Sequence, residues 1–197
     1  MVHHLRRAWF GLWGRIAYRR LLLVERRLDE PIRDIGPLIP VTIGLLREEE
    51  IEDYTTLVPG VDAEDVRSRL VDGQWCFTAR IDGRLISVRW AAAKRMHLEY
   101  LECDLDLSAD EACSYGLYTD PAFRGSAVSP TGSVAMLRHL REAGFRRVVA
   151  AILPENHASL RSVTKTGYRP YGVIGRVKLG PWTWRFHRFP LTTGGPR

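Results

Sequence analysis

Asparagine and glutamine are almost absent from these 197 residues: each occurs once, as Asn156 and Gln74. Lysine is nearly as scarce, with Lys94, Lys165 and Lys178 set against 26 arginines. The three cysteines (Cys76, Cys103, Cys113) are odd in number and lack CxxC spacing. They read as reduced thiols of a cytoplasmic protein, not as a disulfide framework. No stretch reaches the roughly 18 consecutive apolar residues of a membrane span. Gly14-Arg15 interrupts the N-terminal apolar residues before they could form a signal-peptide core. The histidines at 3, 4, 97, 139, 157 and 187 form no HExxH or paired Cys/His spacing, so no metal site is expected. What remains is ordinary soluble-protein composition, 45% hydrophobic and 26% charged, enough for one domain with a full core.

Charge is unevenly placed. Residues 1–28 carry seven arginines and one acid, a net of +6, which equals the net charge of the whole chain. Residues 29–197 therefore balance, and a nucleic-acid-binding body with its own basic face is not expected. Residues 4–28 read as an arginine-rich amphipathic helix with Leu5, Trp9, Leu12, Trp13, Ile16 and Val24 on one stripe. Such a helix could pack on the domain, pack on a second subunit in a homodimer, or lie on an anionic membrane surface as a peripheral contact.

Pro31, Pro37 and Pro40 mark an extended connector, so the expected division is a basic helix with connector over 1–40, a domain over 41–190 and a tail over 191–197. Within the domain a strand is expected near 41–45, helices over 48–57 and 62–71, and a hairpin of 75–81 with 84–90. Its Asp82-Gly83 suits a type I′ turn. A further strand is expected over 97–107 and another over 112–119. Ser129-Pro130 reads as cap and first turn of a helix reaching Glu142. Then follow a strand over 148–153, a helix over 157–166, and strands over 168–178 and 182–189. Strands in hairpins, then alternating with helices, indicate an α/β (α+β) domain with a mixed sheet.

Asn156 stands just beyond the apolar run Val148–Leu153 and just before a helix. An amide there can hold a ligand through both donor and acceptor groups, or it can cap the helix. Upstream, Arg124-Gly125-Ser126-Ala127-Val128-Ser129 is a loop of mostly small residues feeding a helix N-terminus, a combination suited to phosphate.

Together these segments resemble the GNAT family of acyl-coenzyme A-dependent N-acyltransferases. Thr119-Asp120-Pro121-Ala122-Phe123-Arg124 matches the lead-in to that family's pyrophosphate loop, and Arg124 takes the loop's first position. Asn156, Ser159, Gly167 and Tyr168 match its downstream motif in register. The resemblance covers roughly residues 41–190. It implies a mixed, mostly antiparallel central sheet flanked by helices. It also implies acetyl-coenzyme A as co-substrate without a metal, and transfer to a primary amine. By position, Leu117, Tyr118 and Thr119 would pair with the pantetheine arm. Arg124, Gly125, Ser126, Ala127, Val128 and Ser129 would form the pyrophosphate loop, Asn156 would hydrogen-bond the pantetheine or thioester region, and Ser159 would count among the coenzyme-binding residues. Arg161 and Lys165 either meet the nucleotide phosphates or form a solvated face.

The chain departs from the family pattern at two places. Ala127 and Ser129 replace the usual glycines, so the loop is expected to use ordinary backbone angles. Val163 stands where many relatives carry a tyrosine acid. The chain then either does without an acid or uses another, Tyr168 being taken as the substitute beside Tyr118 and Tyr171. Glu111 is taken as the base, ahead of Glu99, Glu102 and Asp104, and a thiol at Cys113 is the weaker choice. Tyr115, Trp75, Trp90, Trp182 and Trp184 could line an acceptor pocket, although aromatics on strands are usually core. The expected activity is acetyl transfer to a small-molecule amine such as an amino sugar. The alternatives are a protein or peptide acceptor, or a non-catalytic acyl-coenzyme A-binding module.

Overall fold

Leu21-Leu22-Leu23-Val24 is an unbroken apolar run, and such runs suit a strand covered on both faces. In the computed structural model, which describes residues 16–188, this run lies in strand β1 (Ile16–Arg27). Leu23 and Val24 are fully buried there. The helix expected over 4–28 is thus corrected to a strand over 16–27. Its first part, 4–15, and the tail 191–197 lie outside the described residues. The membrane contact considered for residues 1–28 rests in part on residues 1–15, which lie outside the described residues.

The next elements follow their local signals. Strand β2 (Thr42–Leu45) leads through a 3-10 turn at Glu48–Glu50 into helix α1 (Ile51–Leu57). Helix α2 (Ala63–Val71) is capped by Asp62, whose Oδ1 accepts from the Asp65 N–H at 2.8 Å. Strands β3 (Trp75–Ile81) and β4 (Arg84–Ala93) join through Asp82 and Gly83, both at positive φ (49° and 82°) as a type I′ turn demands. The single strand expected over 97–107 is instead a small ribbon of β5 (Arg95–Leu98) and β6 (Cys103–Asp106). A 3-10 turn and left-handed Glu102 (φ 51°) fold the chain back there.

Strand β7 (Glu111–Thr119), helix α3 (Val128–Glu142), strand β8 (Arg147–Ile152) and helix α4 (His157–Lys165) follow in alternation. Strands β9 (Arg169–Leu179) and β10 (Trp182–Arg188) close the described chain. The main sheet runs β10-β9-β1-β8-β7-β4-β3-β2. Every neighbouring pair is antiparallel except β7 with β8. This is the mixed α/β architecture expected, with the N-terminal strand as an interior member.

Helices cover both faces. One core packs Val24, Phe77, Met136, Leu137, Leu140, Val148 and Val163 beneath α3 and α4. The other packs Ile51, Tyr54, Val66, Cys76 and Trp90 beneath α1 and α2. Trp90 is wholly buried, and its Nε1–H donates to the Tyr54 hydroxyl at 2.9 Å. Beside this core Glu50 is gripped by Arg47 (3.0 Å) and by Arg80 Nε (2.7 Å). Burial alone would raise the Glu50 pKa, but hydrogen bonds from Arg47 and Arg80 outweigh it and hold the carboxyl at about 2.

The parallel pair is what opens the structure. β7 and β8 are in register only at Glu111–Arg147, Ala112–Val148 and Cys113–Val149. Beyond them the strands part, β7 continuing to Thr119 and β8 to Ile152. On its other side β7 stays paired with β4 through a bulge, where Trp90 faces Tyr115 and Val88 faces Tyr118. Gly116, at φ 58°, sits in that bulge against the Trp90 ring.

Candidate functional site

The fork between β7 and β8 opens into a cleft of about 610 Å3. Its floor is the free edge of Leu117, Tyr118 and Thr119. One wall is Arg124, Gly125, Ala127, Val128 and Ser129; the other is Asn156, Ser159, Arg161, Ser162 and Lys165. The sequence-assigned coenzyme residues therefore converge on one space, with Ser126 as the exception. Its hydroxyl donates to the Phe123 carbonyl, and its own carbonyl accepts from the Leu38 N–H at 3.0 Å. Ser126 thus ties the loop to the proline-marked connector, and Leu38 of that connector also borders the cleft.

Local hydrogen bonds shape the loop. Asp120 accepts from the Ala122 N–H at 2.9 Å, and Arg124 Nε donates back to the Thr119 carbonyl at 3.2 Å. Ala127 then adopts φ 62°, ψ 8° and serves as N-cap of α3. The expectation of ordinary backbone angles is thereby corrected: the residue in the family's glycine place keeps the left-handed conformation despite its Cβ, at a cost of about 1–2 kcal/mol. Helix α3 also starts one residue before Ser129, so Ser129 and Pro130 lie inside its first turn instead of capping it. The first intrahelical bond runs from the Thr131 N–H to the Ala127 carbonyl (3.1 Å), leaving the amides of Val128 and Ser129 ahead of it. Relieving the strain should be visible. Ala127→Gly is expected to raise the unfolding free energy by about 0.5–1 kcal/mol, the strain recovered less glycine's extra chain entropy. Denaturant unfolding checks this, and a loss of stability would mean that Ala127 is not strained.

Asn156 caps helix α4 and also borders the cleft. Its Oδ1 accepts from the Ser159 N–H at 3.1 Å as the N-cap of α4. Its NH2 group makes no hydrogen bond among the described residues and borders the cleft. The carboxamide oxygen is committed to the helix.

The acid–base assignments fare differently. Tyr168 is buried in the core beside Val163, with its hydroxyl near Ser114. Desolvation pushes its pKa well up. Glu111 stands at the opposite end of β7 from Thr119, roughly 26 Å away at the usual strand rise. There it pairs with Arg147 (2.5 Å), which also holds Glu25 (2.6 Å). Neither residue borders the cleft. Cys113 is buried, and desolvation pushes its thiol up to about 12. Glu102 is engaged by Arg176, and Asp104 by His97 at 2.7 Å, both on or beside the ribbon. Among the described residues no carboxylate lines the cleft, whereas Arg124, Arg161 and Lys165 do. The arrangement can hold a polyanion and one extended arm along a strand edge.

The aromatics are mostly structural. Trp90 stacks on Tyr115 at 6.4 Å between centroids, and Trp75 meets Phe145 edge-on at 5.7 Å. Trp182 and Trp184 stack on each other on the exposed edge strand. None of the five borders the cleft. Sequence reading missed Ser162 on its wall and Arg89 behind it. The available signal for Arg89 was a lone charge within the apolar run Leu85–Ala93. Among the described residues no group of three or more His, Cys, Asp or Glu is placed to hold a metal, and no helix is long and apolar enough to cross a membrane.

No protein-family model matches the chain, and no curated protein matches it in sequence. Solved structures do match. A region of a fungal GH3 β-N-acetylglucosaminidase described as a GCN5-related glucosamine N-acetyltransferase aligns with a TM-score of 0.62 at 12% identity, over 94% of this chain and 23% of that one. A Novosphingobium aromaticivorans protein assigned to the GNAT acetyltransferases aligns at 0.58 and 17%, over 83% of this chain and 66% of that one. The aminoglycoside acetyltransferase AAC(6')-Iy, solved with a coenzyme A bisubstrate analogue, aligns at 0.50 and 21%, over 66% of this chain and 90% of that one. The chain thus spans less than two thirds of the first two neighbours' lengths. On this architecture, forked sheet and loop geometry, the chain has the fold of the GNAT acetyltransferases.

Proposed function

We propose that the chain is an acyl-coenzyme A-dependent N-acyltransferase that moves an acetyl group directly to the primary amine of a small molecule, an amino sugar being the favoured class. The supporting observation is the carboxylate-free, cation-lined cleft at the β7–β8 fork, where ten of the eleven assigned coenzyme residues meet. The diphosphate would lie on the amides of Val128 and Ser129 at the α3 N-terminus. The pantetheine arm would pair along Leu117–Thr119, with a carbonyl on the Asn156 NH2. The amine then attacks the thioester carbonyl, and the tetrahedral adduct collapses with loss of coenzyme thiolate. A thiol of pKa near 8.5 leaves tolerably without an acid. This suits a site where Val163 is core and Tyr168 is buried. With no carboxylate at the cleft, the ammonium proton would leave through water.

The same lack of an acid and base favours one second reading, an inert acyl-coenzyme A-binding module. Free thiol released from acetyl-coenzyme A across a panel of amino sugars and simple amines separates the two. Release above the amine-free rate supports transfer; coenzyme binding without release for any amine supports the module. Asn156→Asp sharpens the test, since aspartate also caps helices. Its melting temperature should stay within about 2 °C of the parent, while coenzyme affinity falls about tenfold with the lost donor. Equal affinity would remove Asn156 from the binding site.

A further inference from the structure

Arg89 lies mid-strand in β4, paired with Phe77 of β3 and so on the sheet face that α3 covers. Only 5% of it is exposed. Its Nη1 donates to Ser133 Oγ at 2.9 Å and its Nη2 to Ser129 Oγ at 3.2 Å, both on α3. Among the described residues no carboxylate accompanies it. Arginine does not give up its proton in proteins, so a full positive charge sits inside the fold. The cavity of about 10 Å3 beside it has room for one water at most.

The charge also has an unfavourable neighbour. The N-terminal end of a helix is itself positive, and first turns usually carry Asp or Glu. The first turn of α3 contains no acid. Two positive features therefore meet at Ser129 with no counter-charge, an arrangement that weakens the empty protein. An anion in the cleft would neutralise both. Ser129 is the link: its hydroxyl borders the cleft, accepts from Arg89, and shares a 3.0 Å hydrogen bond with the Ser162 hydroxyl, also on the cleft wall. With one lone pair taken by Arg89, the Ser129 proton is turned toward Ser162 or toward a ligand oxygen.

We propose that Arg89 is the buried counter-charge of this site, holding Ser129 as a donor and selecting the diphosphate-bearing coenzyme over its phosphate-free acyl-pantetheine end. The inference rests on the coenzyme reading above and makes Arg89 a positioning residue that never touches the reacting atoms. Apolar replacement should separate its two effects.

In Arg89→Met, coenzyme A affinity measured by calorimetry should fall ten- to hundredfold. The melting temperature without ligand should hold or rise, and kcat/KM for S-acetylpantetheine should stay within twofold. Arg89→Lys, which keeps the charge, should remain within about fivefold of the parent for coenzyme A. A methionine variant that binds coenzyme A like the parent overturns the proposal. So does one that fails to fold, or one that loses coenzyme A and S-acetylpantetheine alike. A parent protein that binds no coenzyme A sinks the acyltransferase reading instead. In that event, pyrophosphate binding that depends on Arg89 would still support the counter-charge, and binding that ignores Arg89 would overturn it.

Discussion

Alanine at Gly116 is expected to lower the unfolding free energy by about 2–5 kcal/mol and to weaken coenzyme binding with it. Two penalties add. Gly116 has φ 58°, where a residue with a Cβ pays about 1–2 kcal/mol. A Cβ there would also stand 2.9 Å from Trp90 Cδ1. That ring cannot step aside, being wholly buried, stacked on Tyr115 and hydrogen-bonded to Tyr54. Overpacking a fixed core commonly costs about 1–3 kcal/mol. The variant would relieve itself by undoing the bulge, and the bulge is what aims Leu117–Thr119 at the cleft. Denaturant unfolding and coenzyme titration read the two losses separately. A stability loss below about 1 kcal/mol, or full-strength binding, would show that the bulge is not needed.

Glu50→Gln is expected to cost about 3 kcal/mol at neutral pH, because it leaves the Arg80 guanidinium, 12% exposed, without its counter-charge. The pH dependence follows from the depressed carboxyl. Its folded pKa is about 2 against 4.5 for the unfolded group, so the stabilisation is complete above pH 4.5 and disappears as pH falls through 2. That depression corresponds to about 3 kcal/mol, in line with the cost of the substitution. The parent and the glutamine variant should therefore differ most at pH 7 and converge near pH 2. Unfolding curves at pH 7, 4 and 2.5 test this, and a gap that stays constant across them would assign the loss to packing alone. Replacing both partners, Glu50→Leu with Arg80→Met, should recover much of the loss.

The local grammar of the chain was largely legible. Asp82-Gly83 announced its turn, Asp62 its cap, and Asn156 with Gly167 the frame of α4, because each signal acts over a few residues. Residues 16–27 were misread for a related reason. A four-residue apolar run fits a helix stripe or a covered strand equally well over so short a span. Only the distant partners β8 and β9 decide between them. Ala127 was misread because its left-handed angle is imposed by the loop around it, and its own preference lies elsewhere. Glu111 lies on β7 as expected, but its register with β8 puts it at the closed end of the fork, beside Arg147. Arg89 left only a lone charge in an apolar run, and its meaning depends on which helix covers that face.

The interior place of β1 has a consequence for how the chain is made. Leu22 pairs with Ile152 and with Val173, so β1 leaves the ribosome well before the partners it pairs with and must wait for them. At about 5–20 residues per second that wait is roughly 7 to 30 s. Throughout it, an apolar strand stands with both edges open, while β3 and β4 can already pair with each other. The nascent chain is thus most exposed to aggregation around β1, and inserting β1 between β8 and β9 is the step that joins the halves of the sheet.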